Sequence, residues 1–305
     1  MAARKILAIL ESRATYGYSK NVMQVLATRP ALELMTLVTG MHLMPELGSS
    51  VRLIEEDGFP ISTRVPLAPE DDTASAWPKT MGKAMAGFAE AMGELEPDIV
   101  LLFGDRAETF MACIAASYMS VPTAHIQAGD KSGHVDDIAR MALAKLVNIH
   151  FPSCEDSAER LRRLGEQEFR IHNVGAPQLD NIVGTDFSTD AISIDATDHD
   201  LSKPYILVVQ HSVLVERGEI GAQIQSTIDA VNGVHMPVFW IYPNSDAGFR
   251  EIIARLEEAD SGGRIKFVQN VERNKFLSLL ANCAVLVGNS SSGILEAPSF
   301  KIPVV

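Results

Sequence analysis

The sequence lacks most features of an extracellular or membrane-spanning protein. Only three cysteines occur in 305 residues. An odd number of cysteines argues against a disulfide framework, and their spacing is not that of a metal site. We therefore predict that the protein resides in a reducing cytoplasm. No apolar run approaches the roughly 18 residues that span a bilayer. The N-terminal MAARKILAIL has a short apolar part and no small-residue cleavage site, so it predicts a first strand and not a signal peptide.

Positive charge and aromatic side chains are also scarce. Lysine and arginine number 26 against 39 aspartates and glutamates, the net charge is −13, and aromatics make up 6% of the chain. Nucleic acid and anionic membranes are therefore poor candidate partners. A phosphate-containing ligand would have to be bound by local groups. The sequence has no P-loop, no GxGxxG fingerprint, no defensible Ser-His-Asp pattern and no Cys/His constellation. We therefore predict no metal and no cofactor.

The pattern of short apolar runs and amphipathic stretches predicts an α/β protein. At 305 residues the chain suits two domains. Strand-like and helical segments alternate in both halves, which is typical of doubly wound parallel sheets. We predict two Rossmann-like domains, 1–185 and 186–305, with a ligand cleft between them. The acidic segment Gly184–Lys203 is expected to be their linker or a surface excursion. Pro303–Val305 resembles the beginning of a buried strand, so we expect the second domain to be truncated at its C-terminus.

Three local expectations can be checked against the structure. Residues 11–20 are polar and predict a turn before a helix over Asn21–Ala27. Thr73–Glu96 has methionine and phenylalanine at helical spacing, which predicts a helix packed against the core. Arg170–Val174 is expected to be a strand.

The stretch from Ile99 to Arg140 contains the clearest sign of chemistry. Its two apolar runs, Ile99–Phe103 and Thr123–Gln127, have the composition of buried strands and are followed by acidic residues. In open α/β sheets, ligands bind beyond the carboxyl ends of the strands. Asp105, Asp130 and Asp136 are therefore expected at one cleft. Taken singly, Asp105 could be a turn residue and Asp136 a helix N-cap.

A second group of candidates could bind an anion. The serine-rich loop Gly288–Gly293 follows an apolar run and precedes a short helix, so its backbone N–H groups and hydroxyls suit phosphate. Glu296 lies one turn further and could accept hydrogen bonds from a ribose. His211 and Arg13 each follow the first strand of a half and are candidate phosphate contacts. Serine caps and a structural histidine are the competing interpretations.

These residues resemble the hydrolysing UDP-N-acetylglucosamine 2-epimerases. The matching segments run in the family's order through most of the chain: Ser12–Ala14 with Tyr16, Thr39–Leu43, Gly104–Arg106, His125–Asp130, Ser132-Gly133, Asp136-Asp137, Arg140, Asn173–Pro177, Leu179–Asn181, Gln210-His211, Tyr242–Gly248, Gly288–Gly293 and Glu296–Pro298. The resemblance implies a glycosyltransferase-B-like fold and an enzyme that acts on a UDP-sugar in sialic-acid-type sugar synthesis.

The resemblance also implies roles for particular residues. The catalytic carboxylates would be Asp105, Asp130 and Asp136. The substrate and UDP contacts would be Arg13, His42, His211, Ser290, Ser291 and Glu296. The chain departs from the family at Asp130, where a glutamate is usual, and at Met141, where a histidine is usual.

The implied reaction removes UDP from a UDP-2-acetamido sugar and hydrates the resulting glycal to a free N-acetylmannosamine-type sugar. The substrate would be UDP-N-acetylglucosamine or a UDP-diacetylbacillosamine-type analogue, and the protein could form a homo-oligomer. Two alternatives stay open at the level of sequence. One is a glycosyltransferase or non-hydrolysing epimerase with the same fold, and the other is an inactive nucleotide-sugar-binding protein.

Overall fold

The chain forms two units, each built on a parallel sheet. The computed structural model describes residues 2–71, 75–132, 135–194, 197–259 and 263–305. Residue contacts divide the chain into Met1–Asp180 and Asn181–Val305, and the predicted boundary after residue 185 lies slightly further along. Among the helices in the described ranges, none is long and apolar enough to cross a membrane.

The first unit contains a six-stranded sheet. Its strands are β1 (Arg4–Leu10), β2 (Leu32–Thr39), β3 (Thr63–Val65), β4 (Ile99–Phe103), β5 (Thr123–Ile126) and β6 (Ile149–Phe151). They pair in the order β3-β2-β1-β4-β5-β6, and every pairing is parallel. This order is that of a doubly wound Rossmann sheet.

Both faces of this sheet are covered, which explains its continuous apolar strands. Successive side chains of a strand point to opposite faces. Leu7 and Ile9 of β1 accordingly pack in one core cluster, and Ala8 and Leu10 pack in another.

The helices of the first unit supply the covering layers. They are α1 (Arg13–Ala27), α2 (Val51–Glu56), α3 (Ala76–Leu95), α4 (Ala107–Tyr118), α5 (Val135–Leu146) and α6 (Glu155–Arg163). The predicted Thr73 start of α3 lies outside the described residues. Met81, Phe88 and Met92 of α3 are buried, as the spacing predicts, whereas Met85 of the same predicted stripe is 38% exposed.

The prediction of a turn over residues 11–20 is wrong. Helix α1 begins at Arg13, since the Ser12 hydroxyl accepts a hydrogen bond from the Thr15 N–H and caps the helix. Tyr16, Gly17 and Ser19 face the interior on the first two turns. The polar composition concealed a helix whose N-terminal half is buried.

The second unit contains a four-stranded parallel sheet. Its strands are β9 (Ile206–Val209), β10 (Val238–Ile241), β11 (Ile265–Val268) and β12 (Val285–Val287), and they pair in the order β11-β10-β9-β12. The helices are α7 (Ile220–Gly233), α8 (Phe249–Glu258), α9 (Arg273–Asn282), α10 (Ser292–Leu295) and α11 (Ala297–Phe300). The predicted pair of doubly wound α/β halves is therefore confirmed.

Two further local predictions are wrong. The expected linker contains an antiparallel hairpin of β7 (Ala191–Ile194) and β8 (Thr197–Asp200), because its few apolar residues, Ile192 and Ile194, are buried in a core cluster of the second unit. The expected strand at Arg170–Val174 is reduced to a single bridge between Ile171 and His150. A 3-10 turn over Glu168–Arg170 occupies the residues before it.

The last residues pair with the second sheet. Val304 forms a parallel bridge with Leu286 of β12. Backbone hydrogen bonds link Leu286 N to Pro303 O at 3.0 Å and Val305 N to Leu286 O at 2.9 Å. The expectation that Pro303–Val305 has strand character therefore agrees with the structure.

Candidate active site

Each sheet has one point where the strand order reverses. In the first unit this point lies between β1 and β4, and in the second it lies between β9 and β12. Ligands of open α/β sheets bind outside the carboxyl ends of the strands at such a point. The loops that begin there contain Arg13, Asp105, His211 and the segment Gly288–Gly293. Most of the predicted site residues thus occupy positions that the topology favours for binding.

Arg140 links two of the three predicted catalytic carboxylates. Its Nη2 donates a hydrogen bond to Asp105 Oδ2, and its Nη1 lies 3.5 Å from Asp130 Oδ2. Nη1 also donates to the Gln127 backbone oxygen at 3.1 Å. The Arg140 side chain is only 8% exposed, so this contact is sheltered from solvent screening. The planar guanidinium suits such a fork and holds both carboxyl groups at one place.

Asp130 is placed by a close approach between its loop and helix α6. Gly129 has φ +74°, and a Cβ at this position would lie 2.4 Å from the Ser157 backbone oxygen. Only glycine fits both the backbone conformation and the space. Ser153 donates a hydrogen bond to Asp130 Oδ1, and Arg160 donates to the Gly129 oxygen at 2.8 Å.

Asp136, the third predicted carboxylate, lies in the first turn of α5 and is half-buried. Arg140 follows four residues later, so both side chains lie on the same face of that helix. Sequence reasoning noted Arg140 only as part of a motif and gave it no role. The i,i+4 spacing from Asp136 to Arg140 was the signal that could have found it.

Arg13 and His42, the predicted ligand contacts of the first unit, have different surroundings. Arg13 is the first residue of α1 and is half-buried. Burial lowers the pKa of its guanidinium to about 10, which leaves it charged at neutral pH. His42 is fully buried, with its Nδ1 2.8 Å from the Ser50 hydroxyl. Burial lowers its pKa to about 3, so it is a neutral interior side chain.

His125 is also an interior side chain. Its Nε2 lies 2.5 Å from the backbone oxygen of Gly104, the residue before Asp105. Burial lowers the pKa of His125 to about 4, with Arg140 adding to the effect. The neutral ring therefore helps to fix the turn at the end of β4.

In the second unit, Asn289 and Asn244 fix the orientation of His211. The Asn289 Oδ1 accepts from the His211 N–H at 2.8 Å, and its Nδ2 donates to the His211 backbone oxygen at 2.9 Å. The Asn244 N–H donates to His211 Nδ1 at 3.1 Å. Because Nδ1 is an acceptor, the neutral ring carries its proton on Nε2.

The serine-rich loop starts with another close approach. Gly288 has φ +131°, and a Cβ there would lie 2.1 Å from the Val209 backbone oxygen. Ser290 is half-buried and Ser291 is exposed. The Ser290 hydroxyl lies 2.9 Å from that of Ser292, and the backbone oxygens of Ser290 and Ser291 accept the first hydrogen bonds of α10.

Glu296 lies between α10 and α11 and is 5% exposed. Arg273, at the start of α9, forms an ion pair with Glu296 Oε1. This arginine is a neighbour that sequence reasoning missed. Among the residues that the structure describes, no group of three or more His, Cys, Asp or Glu side chains could hold a metal ion.

Comparison with known proteins identifies the family of this chain. The sequence profile described as UDP-N-acetylglucosamine 2-epimerase matches residues 24–305. The chain belongs to the UDP-N-acetylglucosamine 2-epimerase family. It is 37% identical to a Legionella pneumophila protein named UDP-N,N'-diacetylbacillosamine 2-epimerase (hydrolyzing), over 99% of this chain and 80% of that protein. A Campylobacter jejuni protein named GDP/UDP-N,N'-diacetylbacillosamine 2-epimerase (hydrolyzing) is 28% identical, with 100% and 80% covered.

Solved structures of this family have the same fold. The Neisseria meningitidis UDP-GlcNAc 2-epimerase bound to UDP-GlcNAc aligns with a TM-score of 0.76 at 18% identity, covering 99% of this chain and 82% of that one. The Methanocaldococcus jannaschii enzyme in complex with UDP-GlcNAc and UDP aligns with a TM-score of 0.73 at 18% identity, covering 98% and 83%. The glycosyltransferase-B-like prediction is confirmed.

Proposed function

We propose that this 2-epimerase family member is hydrolysing: it eliminates UDP from a UDP-2-acetamido sugar and adds water to the resulting glycal. The observation that carries the proposal is the fork of Arg140, which holds Asp130, after β5, together with Asp105 at the switch point of the first sheet. Two carboxyl groups at one place can divide the work of a base and an acid.

The first step breaks the bond between C1 of the sugar and the diphosphate oxygen, and the bonding electron pair leaves with UDP. The proton on C2 has no neighbouring carbonyl, so a carboxylate cannot remove it before positive charge develops at C1. We assign charge stabilisation on the leaving UDP to His211, Ser290, Ser291 and Arg13. Preorganised donors of this kind often supply the largest part of catalysis.

In the next steps a carboxylate takes the C2 proton, which leaves a C1–C2 double bond. Water then adds its hydroxyl to C1, and a proton returns to C2 on the opposite face of the ring. The products are UDP and a free manno-configured sugar. We assign these proton transfers to Asp105, Asp130 and Asp136 as a group.

The remaining predicted site residues receive roles that suit their burial. We assign Glu296 to the ribose hydroxyls, with Arg273 fixing its carboxylate. We propose that His42 supports the substrate-binding loop from the interior of the first unit, since its ring is fully buried.

The names of the relatives favour one substrate class. The Legionella and Campylobacter proteins are both named as hydrolysing 2-epimerases of N,N'-diacetylbacillosamine nucleotides, so we propose UDP-diacetylbacillosamine as substrate in preference to UDP-N-acetylglucosamine.

We further propose that the reaction takes place in the cytoplasm, that its product enters synthesis of a sialic-acid-type sugar, and that the protein acts as a homo-oligomer.

The decisive experiment is a phosphorus and proton NMR time course with each nucleotide sugar in separate tubes. We expect UDP and a free manno-configured sugar to appear together, faster from UDP-diacetylbacillosamine. An epimerised product that is still linked to UDP would contradict hydrolysis. Binding of both nucleotides without turnover would contradict the enzymatic proposal.

A further inference from the structure

Glu11 is a buried acid that the proposed mechanism does not use. It follows the last residue of β1, at the switch point of the first sheet, and its side chain is fully buried. The Thr15 hydroxyl donates a hydrogen bond to Glu11 Oε1. The other oxygen, Oε2, is buried without a hydrogen bond from any described residue. A charged carboxylate in such a place would be costly.

The charged neighbours of Glu11 lie at the start of helix α4. Glu108 is 1% exposed, and a Cβ placed on Gly40 would lie 2.9 Å from Glu108 Oε1 and 2.7 Å from the Glu11 backbone oxygen. The Glu108 carboxyl group therefore lies near the end of β1, where Glu11 is. Arg106 Nε lies 3.6 Å from Glu108 Oε2, so this guanidinium faces the Glu108 carboxylate.

These surroundings favour the uncharged form of Glu11. The pKa of Glu11 is raised from 4.5 to about 8, mainly by burial and also by the charge of Glu108. The Thr15 hydrogen bond and Arg106 act in the opposite direction. On the adjoining turn Gly40–Leu43, the titratable side chain is that of His42, which faces Ser50.

Two hydroxyl groups lead from Glu11 to the turn that precedes Asp105. Thr15 Oγ1 lies 3.3 Å from the Tyr18 hydroxyl. Because the one hydroxyl proton of Thr15 goes to Glu11, Tyr18 must be the donor in this contact. A Cβ on Gly104 would lie 3.0 Å from the Tyr18 oxygen, so the phenol lies against the residue that precedes Asp105. Burial raises the pKa of Tyr18, and the charges of Glu11 and Asp105 raise it further.

We propose that Glu11 is a positioning residue for the carboxylate site: it orients the Tyr18 hydroxyl through Thr15, and its ionisation lowers turnover by displacing Arg106. This inference rests on the proposed elimination of UDP. An ionised Glu11 would place a second negative charge near Glu108 and compete for Arg106. Arg106 is the N-cap residue of α4 and directly follows Asp105, so a shift of its side chain would disturb the catalytic loop.

The first test is the pH dependence of turnover in the wild type and in Glu11→Gln, which keeps the shape but cannot ionise. We expect the wild-type kcat to fall on the alkaline side with a midpoint near pH 8, to roughly one tenth of its plateau at pH 9. The variant should lack this alkaline decline. The same decline in Glu11→Gln would overturn the proposal.

Two further variants should move the midpoint in opposite directions. Thr15→Val removes both the link to Tyr18 and the hydrogen bond that lowers the pKa of Glu11, so turnover should be lower at every pH and the remaining decline should shift to higher pH. Glu108→Gln removes the charge that raises this pKa, so the decline should shift to lower pH. A purely structural role would change the rate without these opposed shifts. The same alkaline midpoint of turnover in Thr15→Val and in Glu108→Gln would contradict the inference.

A stability measurement tests the same group without using activity. The folded protein keeps the Glu11 proton at pH values where the unfolded chain has released it, between 4.5 and about 8. Wild-type stability relative to Glu11→Gln should therefore decline across this interval and level off above it. If no UDP is released from any nucleotide sugar, the proposed function fails while this thermal-unfolding profile still tests Glu11. A constant difference in Tm between the two proteins from pH 5 to 8 would overturn the assignment of an uncharged Glu11.

Discussion

Asn289 and His211 hold each other through two reciprocal hydrogen bonds. The amide oxygen accepts from the His211 N–H at 2.8 Å, and the amide nitrogen donates to the His211 oxygen at 2.9 Å. The pair joins the loops after β9 and β12, the neighbouring strands on either side of the switch point of the second sheet. The orientation of a predicted phosphate contact thus depends on a side chain 78 residues further along the chain.

We expect Asn289→Ala to weaken UDP binding by about tenfold, or about 1.4 kcal/mol, since His211 loses the two hydrogen bonds that orient it and with them part of a contact to a charged phosphate. Isothermal titration calorimetry with UDP measures the effect. Gln225→Ala removes an exposed amide that bonds to Asp229 on α7 and should leave the UDP affinity unchanged. Equal affinity in both variants would show that Asn289 does not position His211.

Asp105→Asn should reduce turnover by at least about tenfold while the affinity for UDP stays near the wild-type value. The change removes the charge and keeps the shape, so it affects the transition state more than ground-state binding. Turnover is followed by UDP release and affinity by calorimetry. Asp156→Asn, on the surface of α6 and 76% exposed, is the matched control. Unchanged turnover in Asp105→Asn would remove this residue from the catalytic group.

Arg140→Gln should lower the free energy of unfolding by roughly 3 kcal/mol, because it leaves the sheltered Asp105 and Asp130 side by side without their shared cation. Arg140→Lys should retain more stability but lose turnover, since one ammonium cannot reproduce the fork. Urea unfolding and UDP release measure these effects. Arg163→Gln breaks an exposed pair with Glu159 and should cost no more than about 1 kcal/mol. Similar losses in Arg163→Gln and Arg140→Gln would contradict the structural role of the fork.

The contrast between Asp105 and Arg140 illustrates what the sequence could predict. A carboxylate two residues after a five-residue apolar run is expected at the end of a buried strand, and β4 occupies Ile99–Phe103 as predicted. The i,i+4 spacing from Asp136 places Arg140 on the same face of α5 as a predicted carboxylate, but it does not report the contacts of Arg140 with residues 35 and 13 positions away. The polar composition of residues 11–20 predicts a turn at Glu11, because the local sequence does not show the contacts with α4 and Gly40 that bury this residue. The hairpin of β7 and β8 is not predicted, because only two of its apolar side chains reach the core.

The double variant Ser290→Ala with Ser291→Ala should weaken UDP binding by at least about tenfold. Each hydroxyl that donates to a phosphate oxygen contributes about 1.5–3 kcal/mol when the acceptor is charged, and part of this is retained by the backbone N–H groups. Calorimetry with UDP is the measurement, and uridine serves as a ligand without phosphate. Ser226→Ala, an exposed α7 residue bonded to its own helix backbone, is the control variant. Unaltered UDP affinity in the double variant would refute the assignment of these serines to phosphate.

Gly129→Ala should destabilise the first unit more than Gly165→Ala does, although both glycines have positive φ, +74° and +86°. Alanine in this backbone region costs about 1–2 kcal/mol at either site. At Gly165 the nearest atom to an added Cβ is 3.9 Å away, whereas at Gly129 the Ser157 oxygen would be at 2.4 Å. The resulting clash should add about 1–3 kcal/mol and move Asp130, so turnover should fall in Gly129→Ala alone. Urea unfolding and UDP release provide both readouts, and equal losses of stability in the two variants would contradict the close approach that places Asp130.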